Sequence, residues 1–192
     1  HGVWSHWIDG NTGKTVPFGQ KDDGGDLVES SFLMASLLCV RQYFENGNEQ
    51  EKLLASNIDK LWKEMEFDWY RRGGQDVLYW HWSPNYGWDM NFPLEGYNEC
   101  LITYILGASS PTHSIPADCY HKGWARRGGI KSNAKPYGYP LELKHNGAEQ
   151  TGGPPFLAQH SYICLHPPKP SDTYANHWDG GGNNAPRHLH YT

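Results

Sequence analysis

Leu27-Val28-Glu29-Ser30-Ser31-Phe32-Leu33-Met34-Ala35-Ser36-Leu37-Leu38-Cys39-Val40-Arg41-Gln42-Tyr43-Phe44 contains no glycine or proline, and its period decides the fold class. Wound at helical pitch, Leu27, Val28, Phe32, Leu33, Met34, Leu37, Leu38, Cys39, Val40 and Tyr43 cover most of the circumference, which predicts a helix buried on all sides. Asn46-Gly47-Asn48 breaks the run. From Glu49 to about Trp69, Leu53, Leu54, Ile58, Leu61, Trp62 and Met65 form one stripe with charges elsewhere, the pattern of an outer, half-solvated helix. A buried helix followed by an amphipathic one is the inner and outer pair expected of an α/α toroid, although an ordinary helical bundle produces the same pattern. The chain reads as mostly α.

Immediately upstream lies Lys21-Asp22-Asp23-Gly24-Gly25-Asp26-Leu27-Val28-Glu29, a loop carrying four carboxylates. Asp22, Asp26 and Glu29 recur at spacings of four and three, so a helical turn would put them on one face. Two carboxyl groups in unequal environments can protonate a leaving oxygen and activate a water, the chemistry of glycoside cleavage. The competing reading is a variant capping box, in which Asp26 caps the helix and Glu29 reaches back. That reading accounts for Asp26 and Glu29 but leaves Asp22 and Asp23 unexplained. Further upstream, His1 to Lys14 pairs alternating apolar residues with an Asp9-Gly10-Asn11-Thr12-Gly13 turn, a short strand or hairpin signal that reads as a loop entering a site.

Downstream, Arg71-Arg72-Gly73-Gly74 ends the second helix, and Val77 to Trp88 forms an aromatic-dense, strand-like loop expected to line a cleft. Glu95-Gly96-Tyr97-Asn98-Glu99 leads into a third apolar segment, Cys100 to Leu106, which stops at Gly107. Glu99 therefore stands near the start of a buried helix. A short helical stretch follows around Pro116 to Trp124. The remainder is rich in Gly, Pro and Asn, with Tyr137, Tyr139, Phe156, His160, Tyr162 and Trp178 as apolar anchors. So long an irregular region is read either as loops around a site or as a chain cut before its closing helices, and the second is favoured.

The 192 residues fall within the size of one domain, so residues 1–192 are taken as a single domain, partial if the chain is cut. A formal charge of −5 with scattered basic residues gives no electrostatic footprint for nucleic acid. Nine tryptophans and twelve tyrosines supply many flat faces with polar tips, on which sugars stack. The four cysteines are widely separated and the eleven histidines lack an HExxH arrangement, so neither a metal nor any other cofactor is expected. Cys39 and Cys100 read as buried helix residues, and His188-Leu189-His190 as tail. No run is long and apolar enough for a membrane span and no signal peptide is visible, yet the chain begins at His1, so processing or truncation could have removed one.

At Asp22 to Glu29, Trp69-Tyr70-Arg71-Arg72, Tyr79-Trp80-His81-Trp82-Ser83-Pro84, Gly96-Tyr97-Asn98-Glu99 and Ala108 to His113 the chain resembles the bacterial glucoamylase-like, endo-β-1,2-glucanase family. The resemblance continues, with departures, from Phe156 to Trp178. Around His160, Tyr162 and Cys164 the pattern differs, with a glycine in the family at the position of Cys164. The family domain is roughly twice as long, so the chain corresponds to its central portion. What the resemblance implies is an α/α toroid of the six-hairpin type, with other segments of the same toroid as partners. It also implies a central cleft, metal-independent inverting cleavage of β-1,2-glucan, and a periplasmic or secreted location.

Glu99 matches a family glutamate and is the expected proton donor. For the base, Asp22 and Asp26 are the candidates, with Glu29 orienting; the base could also lie on a missing part. Inversion requires the two carboxyl groups roughly 6.5 to 9.5 Å apart, leaving room for water. Trp80, Trp82, Tyr86 and Trp88 are candidate stacking platforms, with about half of such rings expected to be structural. His81, Arg71 and Arg72 are candidate hydroxyl-binding donors, and Tyr97 and His160 complete the set. Hydrolase, transglycosylase of cyclic β-1,2-glucan metabolism and non-catalytic glycan-binding protein remain the function classes, hydrolase first. A lyase is disfavoured by the lack of clustered Lys, Arg and Tyr around the acids.

Overall fold

The computed structural model describes residues 1–145, 148–165 and 172–175. Its regular structure is predominantly helical. The predicted N-terminal hairpin forms from β1 (Trp7–Ile8) and β2 (Thr15–Val16), paired antiparallel. A second antiparallel pair joins β3 (Gly25–Asp26) to β4 (His81–Trp82), with Gly25 opposite Trp82 and Asp26 opposite His81. This pairing folds the aromatic loop back over the acidic one. Between them run α1 (Leu27–Phe44) and α2 (Glu49–Glu64), and after β4 comes α3 (Leu101–Ser109).

Helix α1 starts where Asp26, in an extended conformation, accepts hydrogen bonds from the Val28 and Glu29 amides. The capping box predicted there is incomplete, because the Asp26 amide donates to the Trp4 carbonyl at 2.8 Å, not to Glu29. A complete capping box forms instead at α2, where Asn48 and Glu51 satisfy each other's amides. Arg41 reaches Asp59 at 2.7 Å and ties the two helices on their outer side.

The core joins Leu27, Val28 and Met34 of α1 to Trp62 of α2, the following Met65 and Phe67, and Leu101, Ile102 and Tyr104 of α3. The buried residues of α1 all lie between Leu27 and Ala35, and even there Leu33 is exposed, as are Cys39 and Tyr43 beyond, contrary to the all-round burial expected. Helix α2 buries Ala55, Ile58 and Trp62, while Leu53, Leu54 and Leu61 lie in solvent. It also ends at Glu64 rather than near Trp69, because Met65 turns extended and carries itself and Phe67 into the core. Trp69–Arg71 forms a separate 3-10 turn. Helix α3 continues through Gly107, where an added Cβ would lie 2.9 Å from Ile115 Cδ1 and 3.2 Å from Phe67 Cδ1; glycine here permits close packing. The short helix near Pro116 is a π-helical turn, Cys119–Trp124.

Candidate functional site

The acidic loop, the N-terminal segment, β4 and the first turn of α1 meet at Asp26. This residue is fully buried, and a buried carboxylate requires partners. Its Oδ1 accepts from the Val28 and Glu29 amides, each at 3.0 Å, and from Trp80 Nε1 at 2.8 Å. Its Oδ2 lies 2.7 Å from His6 Nδ1. Oδ1 is thus shared by three donors and Oδ2 is met by His6, so Asp26 ties four elements together. The structure gives Asp26 a holding role at this corner.

Asp22 is also buried, and its Oδ1 lies 3.2 Å from His81 Nδ1. Among the described residues that ring nitrogen has no other polar partner, so Asp22 is its charge partner. Desolvation pushes the Asp22 carboxyl above its ordinary range, partly offset by His81, with Asp26 pushing the same way as burial. Desolvation lowers the His81 imidazole, against the pull of Asp26 and Asp22. The expected helical face of Asp22, Asp26 and Glu29 does not exist, since Asp22 lies in a loop and Asp26 in β3. Folding of β3 against β4 nevertheless brings the three together. Asp23 turns aside to Ser83 Oγ and Asn85 Nδ2, which hold it below the usual carboxylate range.

Glu29, in the first turn of α1, is exposed along its side chain, yet its carboxyl is raised by desolvation, next by the Asp26 charge and more weakly by Glu99. His6 and His160 act in the opposite sense. Glu99 arrives from the far side of the core. Gly96, at φ +84°, donates to the Trp124 carbonyl at 2.8 Å, and Asn98 Oδ1 accepts from Trp124 Nε1 and the Cys100 amide. Ser161 Oγ then donates to the Glu99 carbonyl at 2.5 Å and accepts from the Ile102 amide at 3.2 Å. These bonds set half-buried Glu99 just before α3, near enough to Glu29 for the two charges to interact.

In an extended segment, successive residues such as Trp80 and His81 ordinarily point to opposite faces. Instead their rings stack, centroids 5.6 Å apart at 8°, and both polar tips reach the carboxylates. Trp82 turns away into a cluster with Trp69, and Trp88 packs on Trp69, Tyr70 and Tyr79, so these rings stand apart from the acids. Tyr86 is exposed on the Ser83–Gly87 turn. Arg71 donates to the carbonyls of Gln75 and Gly74, and Arg72 donates to Asn91 Oδ1 and lies over the Tyr79 ring. Tyr97 is a core residue against Trp124, its hydroxyl pushed up to about 12 by burial, and not a surface ligand. His160 is exposed beside Phe32 and Phe156. Trp178 and His188 to His190 lie outside the described residues.

Two contributors escaped the sequence reading. His6 is the most direct partner of Asp26, and its signal was the hairpin segment aimed at the site. Ser161, the brace under Glu99, carries no local signal because its role rests on a contact 62 residues away.

The Glycoamylase family model, described as "Putative glucoamylase", matches residues 91–191, a little over half of the chain. The endo-β-1,2-glucanase from Chitinophaga pinensis, in complex with sophorotriose and glucose, superposes with a TM-score of 0.92 at 61% identity, covering 95% of this chain and 44% of that one. The β-1,2-glucanase structure from Parabacteroides distasonis gives 0.89 at 40% identity, covering 97% and 29%. The exo β-1,2-glucooligosaccharide sophorohydrolase of Parabacteroides distasonis is 41% identical over the whole of this chain and 29% of its own length. The chain thus spans less than half the length of these relatives.

Proposed function

Because the chain belongs to the glucoamylase-like Glycoamylase family, we propose that it forms part of a glycoside hydrolase acting on β-1,2-linked glucan. The relatives at 41% and 61% identity, named for that activity, support the substrate class. The observation that carries the mechanism is that the charge of Glu99, just before α3, raises the carboxyl of Glu29 in the first turn of α1. Glu99 protonates the leaving oxygen. Glu29, whose raised carboxyl makes it a stronger base once ionised, activates the water. Asp22 and Asp26 hold His81, His6 and Trp80 around them, and the stacked Trp80–His81 pair offers a flat wall for a sugar ring.

The reaction proceeds with inversion, the water attacking opposite the departing sugar. The α1–α2 hairpin with α3 against α1 belongs to an α/α toroid completed by further segments of the same polypeptide. The working protein is periplasmic or secreted. The test is reducing-sugar release from linear β-1,2-glucan by the full-length protein and its Glu99→Gln and Glu29→Gln variants, with product anomers followed by NMR. Each variant is expected to lose about 10²–10⁴-fold in kcat, with the α-anomer formed first. Formation of the β-anomer first would remove the inverting mechanism. Glucan binding without hydrolysis by the folded wild type would make this a binding protein.

A further inference from the structure

We propose that Trp7, Phe18 and His6 form a glucosyl-binding subsite beside the acids, extending the hydrolase reading on which it rests. The two exposed rings take the C–H face of one sugar unit, and His6 Nε2 takes one of its hydroxyls. Trp7 is 51% and Phe18 54% exposed, and Trp7 is the most open tryptophan among the described residues. Their rings meet edge to face, centroids 4.9 Å apart at 66°. The His6 ring touches both, its centroid 5.7 Å from that of Trp7 and 4.3 Å from that of Phe18. The three rings make one surface cluster outside the hydrophobic core.

The β1–β2 hairpin that carries the cluster is pinned to the acidic loop at both ends. On the entry side Ser5 bridges Gly25, and the Trp4 carbonyl accepts from the Asp26 amide at 2.8 Å. On the exit side Gly19 bridges Asp22, and the Phe18 amide donates to the Asp22 carbonyl at 3.0 Å. The His6 ring is held in turn through Nδ1, 2.7 Å from Asp26 Oδ2. A carboxylate only accepts, so Nδ1 carries the proton and, in the neutral ring, Nε2 is an acceptor available to a ligand hydroxyl.

An exposed cluster of rings calls for a partner, and its borders select which. Beside the rings stand His6 and the hydroxyls of Ser5 and Thr15, the second donating to the first at 3.0 Å. A helix packing here would present an apolar stripe, which two rings bordered by polar groups do not complement. A pyranose does, having apolar C–H faces and a rim of hydroxyls. Position completes the match. A polysaccharide extends past the bond that is cut, so its neighbouring units need a surface, and this exposed aromatic cluster is joined to both Asp22 and Asp26 by hydrogen bonds.

The experiment is hydroxyl-radical footprinting of the full-length Glu99→Gln protein, in which the glucan is expected to stay uncut, with and without linear β-1,2-glucan, oxidation being read by peptide mass spectrometry. Trp7 and Phe18 are expected to be oxidised in the free protein and protected by the glucan, while Tyr43, an 81% exposed ring at the far end of α1, keeps its rate. In the same background Trp7→Ala and Phe18→Ala should each raise the Kd for the glucan about three- to tenfold by calorimetry, and Tyr43→Ala should leave it unchanged. Rings that are unreactive in the free protein would mean that the rest of the polypeptide covers them, and rings that react but stay unprotected at saturating glucan would mean that the sugar bypasses them; either result overturns the proposal. Footprinting reads the native rings, so it decides the matter if an alanine variant folds poorly. Failure of the hydrolase reading would look different, as protection of Trp7 and Phe18 with no reducing sugar released by the wild type.

Discussion

Replacing Asp26 by alanine removes the helix cap, the Trp80 acceptor and the His6 partner in one step. Loss of the cap to the Val28 and Glu29 amides costs about 1 kcal/mol. The half-buried Trp80 Nε1–H, left without its 2.8 Å acceptor, costs about 1 to 2 kcal/mol. The His6 contact, at 2.7 Å but with the histidine partly solvated, adds less than about 1 kcal/mol after screening. The expected total for Asp26→Ala is about 3 kcal/mol. Asp26→Asn keeps an oxygen for the cap and for Trp80 and alters only the His6 side, so it should lose about 1 kcal/mol. The assay is urea unfolding of the full-length protein followed by far-UV circular dichroism, with ΔG taken from midpoints at constant m. Equal losses for Asn and Ala, or a loss below about 1 kcal/mol for Ala, would refute the view that Asp26 acts as the hub of this corner.

Tyr104→Phe removes a hydroxyl that accepts from the Leu78 amide at 3.0 Å and donates to the Leu94 carbonyl at 2.8 Å. Leaving both buried groups unpaired should cost about 2 to 4 kcal/mol by the same unfolding assay. In Gly24→Ala the new Cβ would fall 2.2 Å from the Trp82 carbonyl oxygen and 2.8 Å from Ser83 Cα. Backbone cannot yield cheaply there, so β3 and β4 must part, and glucan hydrolysis should fall more than about tenfold alongside Tm. For Glu29→Gln the sign follows from the raised folded pKa. The contribution of Glu29 to stability is present below its ordinary 4.5 and is lost as pH rises through the higher folded value. Thermal scans from about pH 4 to about pH 7 should therefore show the variant gaining on wild type as pH rises, while its hydrolysis is depressed throughout. A gap that narrows with pH would refute the raised carboxyl.

The hairpin of α1 and α2 was readable because each boundary has a local cause: Asp26 before one apolar run, and the Asn46-Gly47-Asn48 break before the next. Their burial was not. Leu33, Cys39 and Tyr43 state a preference for an apolar neighbour, and the period of a helix cannot say whether one is present. The acids were legible by residue type and by their order before a helix. Their roles were not, because hydrogen bonds from distant parts of the chain assign them. Trp80, 54 residues on, and His6, 20 residues back, engage Asp26, whereas among the described residues none so engages Glu29 three positions later. The alternation ordinary in a strand fails at Trp80 and His81 for a related reason. A strand two residues long does not sustain a period of two, and the pull of two buried carboxylates outweighs it. Arg71 and Tyr97 are engaged in their turn. Carbonyls freed by the turn at Arg72, with φ +46°, claim the first, and the core around Trp124 claims the second. Chain positions that supply a site's chemistry are thus visible one residue at a time. Which of them remains free to perform it is settled by partners that the fold brings from elsewhere. Glu29 and Glu99, 70 residues apart in sequence, with the charge of the second acting on the first, are the pair on which the proposed hydrolase reading rests.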